Sequence, residues 1–100
     1  MAPITLHQVA PWNRALRNTY RDRFAEVEGR YFKVSADGLQ ASWDVDEIDA
    51  EGNWIDLVAT SLRLAAAPAA IEAHLAEHPA RLTDAEREQR LDDFLATPAS

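Results

Sequence analysis

Residues 43–58 read WDVDEIDAEGNWIDLV and contain the strongest structural signal in the chain. Apolar and acidic residues alternate at its start, which is the period of a half-buried β-strand. The DAEGN sequence at 49–53 has the composition of a tight turn, in which Gly52 can adopt a positive φ angle. The stretch therefore predicts a strand, a turn and a returning segment.

A second hairpin is predicted just upstream. Residues 30–36, RYFKVSA, are rich in β-formers, and the Asp37-Gly38 pair that follows is a strong hairpin signal. We expect the returning strand at 39–46. Its alternation assigns one set of side chains to the core: Leu39, Ala41, Trp43 and Val45. The other set is expected to face outward: Gln40, Ser42, Asp44 and Asp46.

Residues 54–64, WIDLVATSLRL, fit two interpretations. Helical spacing connects Trp54, Leu57, Val58, Ser61 and Leu62, and Asn53 could cap such a helix. The Trp, Ile, Val and Thr content favours a strand, and a third strand would stabilise an otherwise marginal hairpin. We predict a strand and leave the helix open as the alternative.

Residues 12–28 are predicted to form a helix between Pro11 and Gly29, which suit a helix start and a helix stop. The apolar residues recur at steps of four, four, four and three: Trp12, Leu16, Tyr20, Phe24 and Val27. A stripe of arginines lies beside them: Arg14, Arg17 and Arg21. Residues 1–10 fit either an arm or a short edge strand.

Two further helices are expected near the C-terminus. Pro68 opens the first, over 68–78, with Ile71 and Leu75 inward, and Pro79 ends it. Thr83 and Glu86 form a capping box for the second, whose apolar face consists of Leu91, Phe94 and Leu95. The predicted fold is a single α+β domain over 1–100. It has a small three-stranded antiparallel sheet, an N-terminal helix and two C-terminal helices (α-β-β-β-α-α).

Composition narrows the function classes. The chain has 100 residues, a net charge of −7 and no cysteine. The acidic balance disfavours direct binding to nucleic acid, whose affinity comes mostly from neutralised phosphates. No apolar run approaches the ~20 residues of a membrane helix, and the N-terminus lacks the pattern of a secretory signal. We therefore expect a cytoplasmic protein that does not bind membranes.

Catalytic motifs are weak. His74, Glu77 and His78 match the H-x-x-E-H pattern of inverted zinc peptidases. A third ligand is not evident, and Pro79 directly follows the second histidine, so two surface histidines are the simpler interpretation. No G-x-S-x-G motif is present, and the acids at 44–49 lack the glycine of an EF-hand loop. We predict no enzyme, metal or cofactor, with a zinc-dependent hydrolase at these three residues as a remaining alternative.

The acidic cluster around the second turn suggests a binding role. It occurs where no Lys or Arg is found between Val34 and Leu62. A solvated sheet face would explain it, and so would docking on a basic protein surface, including that of a nucleic-acid-binding complex. The predicted contact residues are Asp44, Asp46, Glu47, Asp49, Glu51 and Asp56, with Trp43 or Trp54 as an anchor.

In size, acidity and lack of catalytic motifs, the chain resembles the small inhibitors that phages direct at host defence nucleases, such as anti-CRISPR proteins. This resemblance rests on size and charge and on no motif. It implies a non-catalytic inhibitor that binds a protein partner. A homo-oligomeric structural or adaptor protein is the alternative, in which the arginine stripe of one copy meets the acidic residues of another.

Overall fold

The computed structural model describes residues 4–17, 22–36 and 42–96, apart from the side chain of Phe94. Within them, four strands form one antiparallel sheet in sequence order. The strands are β1 (Arg23–Val27), β2 (Arg30–Ala36), β3 (Trp43–Ile48) and β4 (Trp54–Leu62). A short 3₁₀ turn (Leu64–Ala66) leads into helix α1 (Ala67–Glu77), and helix α2 (Asp84–Ala96) follows. The α+β class is confirmed, but the sheet has four strands where three were predicted.

The N-terminal helix predicted over 12–28 is wrong. Its last part is strand β1, and residues 10–16 form a loop closed by the Ala10 N–H, which donates to the Leu16 carbonyl (2.8 Å). Phe24 and Ala25 are buried in different apolar clusters, so the apolar residues of β1 do not alternate. Because both faces of β1 are covered, its apolar residues occur at a spacing that resembles that of a helix. Tyr20 and Arg21 lie outside the described residues.

Gly29 belongs to a hairpin and does not end a helix. Val27 pairs with Arg30, which leaves Glu28 and Gly29 as the connection, with φ angles of 53° and 76°. Two successive positive φ angles are the requirement of a type I′ turn, whose twist matches that of the strands. Upstream, His7 and Phe24 exchange backbone hydrogen bonds of 2.7 Å, so the segment before the loop runs along the free edge of β1.

The central strands agree with the sequence prediction in part, since β3 extends to Ile48, past the predicted end of the 39–46 strand, and the Ser42 hydroxyl, expected to face outward, is buried. β2 has the predicted bounds, and it pairs with β3 from Tyr31–Ile48 to Ala36–Trp43. Trp43 and Val45 are buried. The predicted Asp37-Gly38 turn lies outside the described residues, together with Leu39, Gln40 and Ala41. The second turn is confirmed: Asp49 N–H donates to the Asn53 carbonyl (2.9 Å), and Gly52 has a φ of 96°.

The strand interpretation of 54–64 is confirmed over Trp54–Leu62, which excludes the helical alternative. β4 pairs with β3 through a register that shifts several times because of β-bulges. These bulges decide which side chains share a face of the sheet.

Apolar residues cover both faces of the sheet. On the face that we call the inner face, α1 packs against β3 and β4, and the cluster includes Phe32, Val34, Val45 and Ile71. The outer face carries a smaller cluster, to which the N-terminal segment contributes: Ala10, Trp12, Leu16, Phe24, Tyr31 and Ile48. The Trp12 Nε1–H donates to the Ala50 carbonyl (3.1 Å) and fastens this segment to the β3–β4 turn.

Both C-terminal helices form where the sequence predicts them. In α1, Ile71 and Leu75 are buried. The capping box of α2 is confirmed, since Thr83 and Glu86 exchange reciprocal hydrogen bonds of 3.2 Å. Its side chains are mostly exposed, so α2 lies on the sheet edge with little burial. Neither helix among the described residues has the length and apolar character that crossing a bilayer requires.

Candidate functional site

The predicted acidic contact residues divide between the two faces of the sheet. Asp44 and Asp46 lie on the outer face, opposite in direction to Val45 and Glu47 on the same strand. Asp56 pairs with Glu47, whereas Trp54 pairs with Ile48. The bulge between these pairs inserts one residue, which sends Asp56 to the inner face and Trp54 to the outer face. Asp56, which was predicted as a contact residue together with Asp44 and Asp46, therefore lies on the opposite face of the sheet from them.

Glu47 is the centre of a buried polar network. Its side chain is 1% exposed and accepts two hydrogen bonds from Arg30, Nε to Oε2 at 2.9 Å and Nη2 to Oε1 at 2.7 Å. His74 Nε2 lies 3.0 Å from Oε1, and the remaining Arg30 Nη1 donates to the His78 carbonyl. This paired geometry neutralises a carboxylate that could not otherwise stay charged inside the sheet.

The pKa of Glu47 follows from these contacts. Burial alone raises the pKa of a carboxyl group, but the hydrogen bonds from Arg30 and His74 and the charge of Arg30 outweigh it. The pKa is therefore lowered from its ordinary value, and Glu47 is ionised at neutral pH. Glu47 is therefore part of a structural ion pair that connects β3 to β2 and α1.

Asp56 is also buried, with 4% of its surface exposed. Arg90 on α2 reaches across and donates from Nη1 to Oδ1 at 3.0 Å. The arginine is about half exposed, so this pair sits at the boundary between the inner face and solvent. Asp56 consequently anchors α2 to β4 and presents little surface.

Asp46 lies in a different environment on the outer face. The Trp54 indole Nε1–H donates to its Oδ1 at 3.1 Å, and the hydrogen bonds among the described residues include no other to this carboxylate. Burial is the main cause that raises the pKa of Asp46, and the nearby Asp44 charge adds to it. The Trp54 hydrogen bond and Lys33 oppose this rise only in part. Within the described residues, Asp46 is thus a partly desolvated carboxylate of which one oxygen accepts no hydrogen bond.

The remaining predicted contact residues differ in how far their carboxylates are engaged in hydrogen bonds. Asp49 organises the turn, because its Oδ1 accepts from the Glu51 N–H (3.0 Å) and the Asn53 N–H (2.8 Å). Asp44 Oδ1 accepts a hydrogen bond from the Ser61 N–H at 3.1 Å, and Ser61 has a φ of 57°. The Glu51 side chain is exposed. Turn geometry therefore explains Asp49, while Asp44 and Glu51 stay accessible.

The two predicted anchor tryptophans occupy different places. Trp43 is buried in the inner cluster, with the Arg23 guanidinium 5.8 Å from its ring centroid. Trp54 is half-buried on the outer face beside Asp46. Trp54 borders an open cavity.

That cavity is an apolar groove between the outer face of β4 and helix α2. Its volume is about 520 Å³, and its lining residues are Asp46, Trp54, Leu57, Thr60, Arg87 and Leu91. Leu57 and Leu91 are 45% and 41% exposed, which is high for residues of this size. We call this the outer groove. A more polar depression shares Arg87 and Leu91 with the outer groove, and Asp84 and Glu88 supply negative charge there.

The outer groove was not predicted from the sequence. The sequence signal that could have indicated it is the pair Trp54 and Leu57, followed much later by Leu91 in the last helix. Their proximity depends on a bulge in β4 and on the placement of α2, and neither can be read from local periodicity.

The H-x-x-E-H residues lie at the end of α1. His74 is buried, which corrects the interpretation of two surface histidines, and the centroids of the His74 and His78 rings are 4.8 Å apart. Glu77 is exposed on the helix. Residues 4–17, 22–36 and 42–96 contain no cluster of three or more His, Asp or Glu side chains that could hold a metal ion. His74 directs Nε2 to Glu47, which gives it a structural partner.

Arg14 and Arg17 of the predicted stripe do not lie on a helix. Arg14 and Arg17 are exposed in the N-terminal segment, and Arg21 lies outside the described residues.

Comparison with protein-family models, curated proteins and solved structures gave no match to this chain.

Proposed function

We propose that this chain is a non-catalytic protein-binding module that docks on a basic surface of a protein partner. The docking face consists of the outer side of β3 and β4 together with α2. The observation that carries this proposal is the outer groove, an exposed apolar surface bordered by carboxylates. Apolar patches of this kind on small proteins are frequent sites of protein recognition.

Charge supports a basic partner. Asp44, Asp46 and Glu51 lie on or near the docking face, and α2 adds exposed acids at Asp84, Glu88 and Asp92. The net charge of the chain is −7. Such a field attracts a positively charged surface and increases the association rate, particularly at low ionic strength. Glu47 and Asp56 contribute to the fold and are left out of the contact set.

The narrower form of the proposal is an inhibitor of a nucleic-acid-binding complex, comparable in class to anti-CRISPR proteins. Small size and net negative charge support it. An acidic module on a nucleic-acid groove would block access to that groove by occupying it. Binding of a nucleic acid to the captured partner should then fall as the module is added, which a competition assay measures.

The experiment compares capture of partners from the native host by the wild type and by a charge-reversed variant, Glu51→Lys/Glu88→Lys. Neither side chain makes a hydrogen bond or ion pair among the described residues, so the fold should survive. The matched control is Glu26→Lys/Glu72→Lys, which makes the same charge change at exposed positions on β1 and α1. We expect the first variant to lose the partner and the control to retain it.

Equal capture by both variants would refute the assignment of the docking face. Thermal unfolding of each variant verifies that the comparison is made between folded proteins. Partners that persist in high salt and with both variants belong to a surface other than the one proposed.

A further inference from the structure

The carboxylate of Asp46 has an unusual position at the edge of the outer groove. Trp54 holds one of its oxygens, and the hydrogen bonds among the described residues leave the other oxygen without a donor. Burial of a carboxylate is costly unless the charge is compensated. The structure thus places an incompletely compensated negative charge beside an apolar surface.

Arg87 also lines the outer groove, yet it does not neutralise this carboxylate. The salt bridges among the described residues include none between Arg87 and Asp46. Lys33 lies opposite Asp46 in the β2–β3 register, but its ammonium group is 3.8 Å from the Asp22 carboxylate. As far as the described residues show, no cation is paired with Asp46, so the position facing it from the groove is open to a cation from outside.

The walls of the groove select the kind of cation. Trp54, Leu57 and Leu91 offer apolar surface, and a volume of about 520 Å³ exceeds what a single small ion needs. A long basic side chain combines methylene groups that pack on apolar walls with a charged head that reaches a carboxylate. The indole ring adds an attraction for a cation that passes over its face.

We infer that the outer groove takes one arginine or lysine side chain of the protein partner, with its methylenes against Leu57 and Leu91 and its head at the open oxygen of Asp46. This inference rests on the proposed function and identifies the group that the docking face recognises. An acidic side chain is disfavoured, because Asp46 and Asp44 would repel it. A purely apolar side chain would leave the Asp46 carboxylate still further desolvated.

The test uses n-butylguanidinium and n-butylammonium chloride as analogues of the two side chains. Guanidinium chloride at the same concentration represents the head alone, and n-butanol represents the stem alone. Titrations are followed by NMR at the indole N–H of Trp54 and the backbone amides of Leu57 and Leu91. We expect saturable shifts with the butyl cations at these three positions and much weaker binding of head or stem alone.

Asp46→Asn keeps the side-chain shape and the acceptor for Trp54 but removes the charge. We expect it to weaken binding of both butyl cations about tenfold, which is the contribution of a charge-assisted hydrogen bond. The matched control, Glu72→Gln, removes one exposed charge on α1 and should bind like the wild type. Leu91→Ala should weaken the butyl cations while leaving the weak binding of guanidinium unchanged.

Several results would overturn the inference. Equal affinity for n-butylguanidinium and guanidinium would show that the groove walls contribute nothing. Unchanged affinity in Asp46→Asn would remove Asp46 as the recognition group, and equal binding of n-butanol would make the occupant an apolar side chain. Sedimentation that changes from dimer to monomer in Asp46→Asn would identify a second copy of this chain as the occupant.

The outcome is separable from that of the proposed function. Binding of the analogues tests the groove in the isolated protein, whereas host capture tests whether a partner uses the docking face. Analogue binding without partner capture would leave the groove chemistry intact and reject the docking role. Partner capture that is insensitive to Asp46→Asn would keep the docking role and reject this anchor.

Discussion

Two neighbouring acids of β3 show how strongly the face of a strand determines the chemistry of a carboxyl group. Glu47 points into the inner face and meets Arg30 and His74, which lowers its pKa. Asp46 points the other way, meets an indole and apolar surface, and has a raised pKa. The same strand therefore carries one acid that stabilises the fold when ionised and one whose ionisation has a cost.

Glu47→Gln should destabilise the protein by about 3 kcal/mol, because it leaves the buried Arg30 guanidinium without a counter-charge. Chemical denaturation at neutral pH measures this change. The control Glu51→Gln alters an exposed acid on the adjacent turn and should change stability by less than about 0.5 kcal/mol. A loss at Glu47 as small as that of the control would contradict a structural role for the pair.

The pH dependence of the same variant has a defined sign. Since the folded-state pKa of Glu47 lies below its ordinary value of 4.5, its stabilisation is present above that value. It is lost as the pH falls through the folded-state pKa. The stability difference between wild type and Glu47→Gln should therefore shrink on acidification below about pH 4.5. A difference that stays constant down to pH 3 would exclude this explanation.

Asp46→Asn should have the opposite effect. The raised pKa means that the folded state holds the proton more tightly than the unfolded chain, so ionised Asp46 lowers stability at neutral pH. We expect the variant to unfold at a higher temperature than the wild type at pH 7, with the gap closing as the pH falls and Asp46 becomes protonated. Thermal unfolding between pH 3 and 7 measures it, and a lower unfolding temperature at pH 7 would contradict the expectation.

At the scale of elements, the two hairpin connections place different demands on glycine. Both Gly29 and Gly52 have positive φ angles. A Cβ at Gly29 would meet open space, whereas a Cβ at Gly52 would lie 2.7 Å from Leu16 Cδ2. The turn at 49–53 therefore requires a glycine both for its positive φ angle and for its close packing against the N-terminal segment.

Gly29→Ala should cost about 1 kcal/mol, the price of a left-handed conformation for a residue with a Cβ. Gly52→Ala should cost about 2 kcal/mol or more, because Leu16 must also move. Denaturation of both variants gives the comparison, in which each serves as the control for the other. Equal losses would indicate that Leu16 adapts without cost.

The Arg90–Asp56 pair is a polar connection between helix α2 and the sheet. Arg90→Ala removes the donor to Asp56 and leaves that carboxylate buried and unpaired. We expect hydrogen exchange to accelerate throughout α2 while α1 stays protected, and stability to fall by about 2 kcal/mol. Arg87→Ala, on the same helix, should leave exchange in α1 and α2 near the wild-type pattern. Equal acceleration in both variants would mean that Arg90 is not the main attachment.

The elements also show what the sequence could and could not predict. Strands β2 and β3 follow from alternation and from turn residues such as those at 49–53, whereas β4 follows from its β-forming residues and left a helical alternative open. β1 was missed because its two faces are both covered, which removes the alternation that identifies a strand. The inward position of Asp56 depends on a bulge, and the outer groove depends on where α2 comes to rest. Both features depend on tertiary packing, so they cannot be predicted from a short stretch of sequence.

At the scale of the whole molecule, charge distribution separates the two candidate assemblies. The exposed Arg14 and Arg17 lie in the N-terminal segment, and the acidic residues surround the β3–β4 turn and α2. If the chain acts alone on a basic partner, its sedimentation coefficient should be independent of salt. Self-association that disappears on raising the salt from about 50 mM to 500 mM would favour a homo-oligomer held by these charges.

The attachment of the N-terminal segment to Ala50 also bears on the order of folding. Every strand pairs with its neighbour in sequence, so the meander assembles through short chain closures. The Trp12 and Asn13 side chains meet the Ala50 carbonyl across separations of 38 and 37 residues. Closing so long a loop costs more chain entropy than forming a hairpin. The hydrogen bonds to Ala50 that offset this cost can form only once the turn at 49–53 exists. We therefore expect the N-terminal segment to complete the outer apolar cluster last, on a sheet that has already formed.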